Sequence, residues 1–297
     1  MLLALVLLLT PLPTQTPDQW SKNFNLTGSP LLRVETGDAN IHISASDSER
    51  NTIEARVTTR NWKIGSDGIQ IIDHQIGDEV QLKILFPRRW ARIDFGNRRV
   101  DLELRVPRRS TLNIKTGDGN IDLTGIAGDI TLQSGDGHLD ITDVEGKLRA
   151  NTGDGPVKIN GIKGDALLHT GDGKVEVEGF DGVLHVETGD GRVRVSGRFD
   201  VLDVKTGDGG VEAIAQHGSR LTEDWTLSTG DGGLTVRVPA DLSADVDLHT
   251  GDGHLDLGIP VTISGRTGKH DIKGQLNGGG KLLTLRSGDG SIKIEKL

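Results

Sequence analysis

The chain has 297 residues and a formal net charge of −9 at pH 7, with 42 glycines, 3% aromatic residues and no cysteine. The lack of cysteine excludes disulfides and thiolate metal sites, and the negative net charge argues against nucleic acid as a general partner. Abundant glycine and few aromatic side chains favour a thin protein with small corners over a wide globular core.

The N-terminal segment is a short apolar run. Met1–Leu9 carries no polar side chain and is followed by Thr10 and by Pro11-Leu12-Pro13. The run is too short to span a bilayer but matches the hydrophobic region of a signal peptide. No lysine or arginine precedes it and no Ala-x-Ala motif closes it, so a buried N-terminal segment is the alternative. We predict a signal peptide over residues 1–19, cleaved around 13–19. The mature protein is then expected outside the cytoplasm (periplasmic, cell-surface or secreted) without a membrane span.

Residues 20–109 form a less regular region that is rich in predicted strands. Arg33–Ser44 already has the form of the repeat described below, with Ala39 in place of its final glycine. Larger coils and a small β cap both fit this region. Alternating apolar and polar residues predict four further strands, at Ile53–Thr58, Ile69–Ile72, Val80–Leu85 and Val100–Val106.

A basic cluster closes this region, in a chain that is otherwise acidic. Trp90 and Phe95 lie within it. One interpretation is a solvated face whose side-chain stems cover apolar surface. The other is a patch that binds an anion, such as a phosphorylated or acidic glycan or a lipid head group. The candidate binding residues are Arg88, Arg89, Arg92, Arg98, Arg99, Arg105, Arg108 and Arg109.

Residues 110–297 are organised by one repeated tetrapeptide, Thr/Ser-Gly-Asp-Gly. A fixed period of this kind is typical of a repeat architecture. We expect its two glycines to adopt positive φ and its aspartate to accept hydrogen bonds from turn amides. Copies separated by 18 residues occupy 116–119, 134–137, 152–155, 170–173, 188–191 and 206–209.

Each repeat contains two strands with one buried face. A turn of four residues is followed by five residues that alternate apolar and polar, twice per unit. Such alternation indicates a half-buried strand. The predicted inward residues include Val175 and Val177 after the turn and Leu184 and Val186 before the next one. A further apolar residue, such as Phe180, is predicted to fill the corner between them.

Two arrangements fit this pattern: a parallel β-solenoid with 18-residue coils and an antiparallel meander. Outward positions 158, 176, 194 and 212 read Lys, Glu, Arg and Glu. Alternating charge stabilises residues 18 apart only when they are direct neighbours, as in a parallel stack. We therefore predict an all-β chain with a single parallel β-solenoid (β-helix) over 110–297. A left-handed hexapeptide helix is excluded because positions six apart are not regularly aliphatic.

The spacing breaks after residue 214. The step becomes 23 and then 21 residues, which places loops at Gln216–Asp224 and Pro239–Ala244. Thr267-Gly268 has the form of a degenerate copy. Complete copies return at 229–232, 250–253 and 287–290.

The repeated aspartates predict an acidic column along one edge. Calcium-binding nonapeptide solenoids also combine glycine with aspartate, but here the aspartate precedes the second glycine and the sixth position of each nine is apolar. Capping of the turns is the favoured role, and a calcium site is the alternative. The candidate metal ligands are Asp118, Asp136, Asp154, Asp172, Asp190 and Asp208.

The sequence contains no motif that points to catalysis. Gly-x-Ser-x-Gly, His-Glu-x-x-His and Walker sequences are all missing. A polysaccharide-active β-helix enzyme would need clustered acidic or basic residues in a groove, and the sequence gives no such cluster. We predict that the chain is not an enzyme and needs no cofactor.

The TGDGxVxV array, the signal-like start and the closing LNGGGKLLTLRSGDGSIKIEKL together resemble the bacterial putative-adhesin family of β-strand-repeat proteins, a domain of unknown function. The resemblance covers residues 20–297. It implies an extracytoplasmic β-solenoid with an adhesin-like role, and it transfers no catalytic residue. The resulting hypothesis is a scaffold or interaction module at the cell envelope that meets a glycan or protein ligand. A calcium-binding secreted solenoid is the alternative, and the sequence leaves the oligomeric state open.

Overall fold

The chain is a parallel β-solenoid, as the sequence predicts. The computed structural model describes residues 14–46, 51–87, 98–263 and 268–297, and none of these residues is helical. Each coil has a strand before its TGDG turn, which lies in wall A, and a strand after it, which lies in wall B. The two walls meet at the TGDG corner and, on the other side, at a second corner.

The described residues form 24 strands. Those before residue 110 are β1 (Thr14–Thr16), β2 (Gln19–Asn25), β3 (Leu31–Thr36), β4 (Asn40–Ser46), β5 (Thr52–Arg60), β6 (Gln70–Ile76), β7 (Glu79–Leu85) and β8 (Arg99–Pro107). Those of the regular array are β9 (Thr111–Lys115), β10 (Ile121–Thr124), β11 (Ala127–Gln133), β12 (Leu139–Thr152), β13 (Val157–Thr170), β14 (Val175–Thr188), β15 (Val193–Thr206) and β16 (Val211–Ala215). The remainder are β17 (Trp225–Thr229), β18 (Leu234–Val238), β19 (Ala244–Thr250), β20 (Leu255–Gly258), β21 (Thr262–Ile263), β22 (Asp271–Leu276), β23 (Leu282–Ser287) and β24 (Ile292–Lys296).

The register of the regular array is parallel with a step of 18 residues. Val157 of β13 lies beside Val175 of β14, which lies beside Val193 of β15. The outward residues Lys158, Glu176 and Arg194 are also direct neighbours. The charge alternation therefore follows the coil stack, and the antiparallel meander is excluded for this array.

The predicted inward residues form one continuous core between the walls. Val175, Val177 and Leu184 are fully buried, and Phe180 fills the second corner with 2% of its surface exposed. Phe180 stacks on Phe199 with ring centroids 5.8 Å apart, and Phe199 meets the edge of Trp225 at 6.2 Å. One repeat cannot bury its own apolar face, so the stack stabilises each coil through its two neighbours.

The glycines of the TGDG corner are needed for close approach of the backbone, and the prediction of positive φ is wrong there. A Cβ atom on Gly155 would lie 2.1 Å from the carbonyl oxygen of Gly137 in the preceding coil. Positive φ occurs instead at the second corner, for example 135° at Gly164 and 139° at Gly182. At the TGDG corner, successive backbones are therefore too close for any side chain to fit between them.

Buried hydroxyl groups hold this corner together. Thr170 is fully buried, and its Oγ1 donates to the carbonyl oxygens of Gly153 at 3.1 Å and Gly155 at 3.0 Å. Both acceptors belong to the preceding coil, so each threonine joins two coils. The equivalent residues in other coils, Thr152 and Thr188, make the same pair of bonds.

Chain order and stacking order differ at the C-terminal end. The last coil, β23 and β24, lies between the coil of β17 and β18 and the coil of β19 and β20. In wall A, β23 pairs with both β17 and β19. In wall B, β24 pairs with both β18 and β20. The repeat spacing gave no indication of this insertion.

At the N-terminal end, too, one coil is stacked out of chain order. The coil of β3 and β4, which contains the predicted early repeat, lies between β7 and β8 on one side and β9 and β10 on the other. Antiparallel strands then close this end: β6 on β7, β5 on β8, β2 on β5 and β1 on β2. The early repeat is thus stacked directly on the regular array.

The degenerate repeat predicted at Thr267-Gly268 is not another coil. Thr267 lies outside the described residues, and the strand that follows, β22, runs antiparallel to β19. β21 pairs antiparallel with β22 in turn. Two antiparallel strands therefore extend wall A beyond β19, whose coil is the final one in stacking order.

The close approach at the TGDG corner makes a testable difference between two adjacent glycines. A Cβ atom on Gly209 would lie 2.1 Å from the oxygen of Gly191, whereas one on Gly210 would lie 3.6 Å from its nearest neighbour, the oxygen of Gly233. We expect Gly209→Ala to lower the free energy of unfolding by about 3 kcal/mol or more. Gly210→Ala is the matched control and should change it by less than about 0.5 kcal/mol. Urea denaturation measures both, and equal effects would contradict the close-approach argument.

Candidate functional site

The acidic column lies on the surface of the TGDG corner. Asp172 and Asp190 are exposed, and the backbone N–H of Asp190 donates to Oδ1 of Asp172 at 3.1 Å. The same bond joins Asp154 to Asp172 at 3.3 Å and Asp190 to Asp208 at 3.3 Å. The carboxylates of Asp136, Asp154, Asp172 and Asp190 therefore each accept an amide proton from the next coil rather than from their own turn.

This arrangement uses one carboxylate oxygen of each of these four aspartates in a bond between coils. Among the described residues, no three His, Asp or Glu side chains are grouped closely enough to hold a metal ion. Carboxylates one coil apart repel each other, but exposure to water keeps that cost small. Capping between coils accounts for the aspartate in the repeat, and calcium binding by Asp118, Asp136, Asp154, Asp172, Asp190 and Asp208 stays a prediction.

The structure divides the predicted arginine cluster into separate groups. Arg88, Arg89 and Arg92 lie outside the described residues. Arg98 lies over the ring of Trp62, 4.5 Å from its centroid, and Arg99 pairs with Asp101 at 2.6 Å. These two arginines are at the start of β8, next to the TGDG corner.

The other three arginines lie at the opposite end of β8, at the second corner, and we call them the arginine corner: Arg105, Arg108 and Arg109. Six residues of extended strand separate Arg99 from Arg105, which is about 20 Å. Arg108 donates to the carbonyl oxygen of Gly125 at 3.2 Å and to Asp143 at 3.1 Å. Within the described part of the chain, no ion pair engages the side chain of Arg105 or Arg109.

Two clefts flank the arginine corner. The first, of about 380 Å³, lies where the strands of wall A begin, and it is lined by Ser29, Pro30, Arg109, Ser110, Thr111, Ala127, Gly128 and Glu145. The second, of about 370 Å³, lies where the strands of wall B end, and it is lined by His42, Ile43, Ser44, Glu103, Leu104, Arg105, Asp122 and Thr124. Each cleft therefore places one arginine beside hydroxyl groups and a carboxylate.

The second cleft contains an ordered polar pair. Nδ1 of His42 lies 2.8 Å from Oδ2 of Asp122 in the neighbouring coil, and His138 approaches the other oxygen of that carboxylate at 3.3 Å. Asp122 is thus held by two histidines and forms no ion pair with Arg105. The guanidinium of Arg105 is therefore available to a ligand. An anionic group with attached hydroxyls fits this set of donors and acceptors.

Sequence reasoning missed a charged cluster where the repeat spacing breaks. Arg198 donates to both carboxylate oxygens of Asp200, at 2.8 and 3.1 Å, and also pairs with Asp181. Asp200 Oδ1 also accepts from Arg220 in the inserted loop at 3.4 Å. Hydrogen bonds from Arg198 lower the pKa of Asp200, and those from Asp200 and Asp181 raise the pKa of Arg198. A change of period was the only signal in the sequence, and the cluster attaches the loop to the stack.

Sequence reasoning also missed an ion pair at the N-terminal end of the core. Lys22 of β2 points between the buried Trp20 and Phe24 and forms an ion pair with Asp73 of β6. Its ammonium also lies 5.1 Å from the ring centroid of Phe24. Because β2 belongs to wall B and β6 to wall A, this pair closes the core between the two walls.

Comparison with known families identifies the architecture. The family model of the Toastrack domain DUF4097 matches residues 31–295. The chain belongs to the Toastrack family. The match begins at β3, the first strand of the inserted N-terminal coil, and ends within β24, so it spans the whole TGDG stack. The function of this domain family is unknown.

Solved structures that match the chain include two described as adhesion proteins. A "putative cell adhesion protein" from Clostridium sporogenes is 15% identical, with 95% of this chain and 100% of that chain covered and a TM-score of 0.26. A "putative adhesin" from Bacteroides fragilis is 10% identical, with coverages of 95% and 98% and a TM-score of 0.34. A "putative lipid binding protein" from Parabacteroides distasonis is 14% identical, with coverages of 93% and 96% and a TM-score of 0.45.

No curated protein matches the Toastrack chain. In the part of the chain that the structure describes, there is no helix of the length and apolar character that a membrane crossing requires.

The role of the acidic column can be tested at Asp172. Asp172→Ala removes the acceptor for the Asp190 amide and should lower the free energy of unfolding by about 1 kcal/mol. Asp172→Asn keeps an acceptor oxygen and should stay within about 0.5 kcal/mol of the wild type. Thermal melts with calcium and with a chelator should coincide for all three proteins. A rise in melting temperature with calcium that Asp172→Asn abolishes would instead establish a metal site.

The Arg198–Asp200 pair predicts a dependence on pH. Because the pKa of Asp200 is lowered in the folded state, its contribution to stability is present above the ordinary value near 4 and is lost as the pH falls through the lowered pKa. We expect Asp200→Asn to cost about 1–2 kcal/mol at pH 7 and less at pH 3. Asp165→Asn, at an exposed position of wall A, should show no such change. Urea denaturation across this range measures both, and a constant cost for Asp200→Asn would contradict the prediction.

Proposed function

We propose that this Toastrack protein is a non-enzymatic interaction module that works outside the cytoplasm, at the bacterial cell envelope. We further propose that the arginine corner binds an anionic group of an envelope glycan or protein. The observation that carries the proposal is the position of Arg105 and Arg109. Each lies in an open cleft, beside hydroxyl side chains, on either side of one corner.

The chemistry of the two clefts favours an anionic ligand rich in hydroxyl groups. A guanidinium binds carboxylate, sulfate or phosphate through two parallel hydrogen bonds. Ser44 and Thr124 lie near Arg105, and Ser29 and Thr111 lie near Arg109. Glu103 and Glu145 can accept hydrogen bonds from ligand hydroxyls. Acidic glycans of the envelope combine these groups in one molecule.

The rigid stack supports a scaffold role. The arginine corner is attached to a core that continues from the N-terminal strands to β24, so its side chains have a fixed position relative to the rest of the rod. The threonine or serine and the aspartate of each regular TGDG turn form hydrogen bonds between coils, as for Thr188 and Asp190. The most repeated polar groups of the chain are therefore used to build the stack, which supports a non-enzymatic role.

The proposal can be tested by co-sedimentation of residues 14–297 with isolated bacterial cell envelopes, at low and high salt and with or without calcium. Salt weakens contacts between exposed charges. We expect binding at low salt that decreases at high salt and does not need calcium. The double variant Arg105→Ala/Arg109→Ala should weaken it about tenfold.

The matched control is Arg149→Ala/Arg192→Ala, which removes the same charge from exposed positions away from the arginine corner. This control should bind like the wild type. Equal loss in both variants would indicate attraction by overall charge only. Binding that ignores salt and both variants would move the site to another face, and no binding under any condition would overturn the envelope proposal.

A further inference from the structure

The last coil occupies a slot between two coils that precede it in the chain. β23 lies between β17 and β19, and β24 lies between β18 and β20, in parallel register on both sides. We propose that this slot also accepts the last coil of a second copy of this chain, so that residues 282–297 can be exchanged between copies. The interaction surface is the slot, and its partner is the same segment from another molecule.

The slot recognises a TGDG-type coil through its corner. The N–H of Gly288 donates to the oxygen of Gly230, and the oxygen of Gly288 accepts from the N–H of Gly251. Oγ of Ser287 donates to the oxygen of Gly232 at 2.9 Å, and Oγ1 of Thr250 donates to the oxygen of Gly290 at 2.8 Å. The last coil is therefore bonded to a neighbour on each side.

The slot also has an apolar lining that only an inserted coil can cover. Leu283 and Leu285 of β23 and Ile292 and Ile294 of β24 are buried, with at most 1% of their surface exposed. Their register neighbours on the two sides include Leu227, Val236 and Leu248, which are buried as well. An empty slot would expose this surface and four open strand edges, which makes it a strong acceptor for a matching segment.

The connection into the last coil has the properties of a hinge. β22 and β23 lie on opposite sides of β19, so residues 277–281 must cross the end of that strand. Asn277 is fixed by hydrogen bonds from its side chain to the oxygens of Ala240 and Leu242, both at 2.8 Å. Beyond it, Gly278, Gly279 and Gly280 have φ values of 86°, 81° and 155°, and no atom lies within 4 Å of the Cβ position of Gly278.

Exchange needs a change only in this hinge. Every contact of residues 282–297 with the slot is the same whether the segment comes from the same chain or from another, which is the condition for domain swapping. Three consecutive glycines permit the change without steric cost. The order of synthesis also favours exchange. The coil of β19 and β20 is synthesised before the last coil, which must lie between it and the coil of β17 and β18. Until the last coil arrives, β17 and β18 present free parallel edges.

The chain has no cysteine, so the exchange can be detected with engineered disulfides. Thr226 and Thr284 are register neighbours in β17 and β23, at a spacing that a disulfide can bridge. One full-length protein carries Thr226→Cys and a second carries Thr284→Cys. The two are mixed, incubated just below their melting temperature, oxidised and separated on a non-reducing gel. Above the background of random cross-linking, which the control mixture measures, a covalent heterodimer forms when the last coil of one molecule lies in the slot of the other.

The matched control mixes Leu167→Cys with His185→Cys. These residues are register neighbours in β13 and β14, inside the regular array, where no hinge allows exchange. We expect the Thr226/Thr284 mixture to give at least tenfold more heterodimer than the control mixture. Deletion of Gly278–Gly280 should increase the yield further, because a shortened hinge favours swapping.

A single chain that carries both Thr226→Cys and Thr284→Cys tests the geometry itself and should close its own disulfide. If it closes while the mixture gives no more heterodimer than the control, the proposal is overturned. If this pair does not close, Thr235→Cys and Lys293→Cys, register neighbours in wall B, replace it in the same three experiments with the same criteria.

Discussion

The structure depends on the contact between successive backbones at the TGDG corner. At this corner the carbonyl oxygen of one coil occupies the place where a side chain of the next coil would begin, as for Gly137 against Gly155. Only glycine fits there, and the buried hydroxyl of the preceding threonine then reaches across to two carbonyl oxygens. Register, coil spacing and the parallel direction of both walls follow from this one corner, because a coil displaced by one residue would bring a Cβ atom against the neighbouring backbone.

The two ends of the solenoid have a different requirement from the regular array. A solenoid leaves open strand edges and an uncovered core at each end. At the N-terminal end, antiparallel strands, Trp20 and Phe24 cover the core, and the Lys22–Asp73 pair closes it between the walls. At the C-terminal end, wall A gains two antiparallel strands, whereas β20 of wall B pairs only with β24 among the described strands. In both places a coil is inserted out of chain order next to the end.

The sequence predicts the regular array well because the information there is local and repeated. Alternation identifies the inward side chains of β12 to β15, and the charges at 158, 176 and 194 identify the parallel stack.

The insertion of the last coil has no local signal, because every TGDG coil is compatible with every other and the spacing of the copies does not record their stacking order. The sequence also does not decide why the TGDG corner needs glycine, because composition cannot distinguish positive φ from close approach of the backbone. The arginines follow each other in sequence, yet the strand that alternation predicts at Val100–Val106 separates Arg99 from Arg105, so the sequence did contain the information that divides the cluster.

The uniform step of the array makes the length of the molecule an adjustable quantity. A duplication of 18 residues within β12 to β15 would add one coil and move the two ends apart by about 4.8 Å. The new coil would find the same glycine carbonyls, threonine hydroxyls and apolar neighbours as the coil it copies, and neither inserted end coil would be altered. The length of the stack can therefore change by whole coils while the coils at its two ends stay the same.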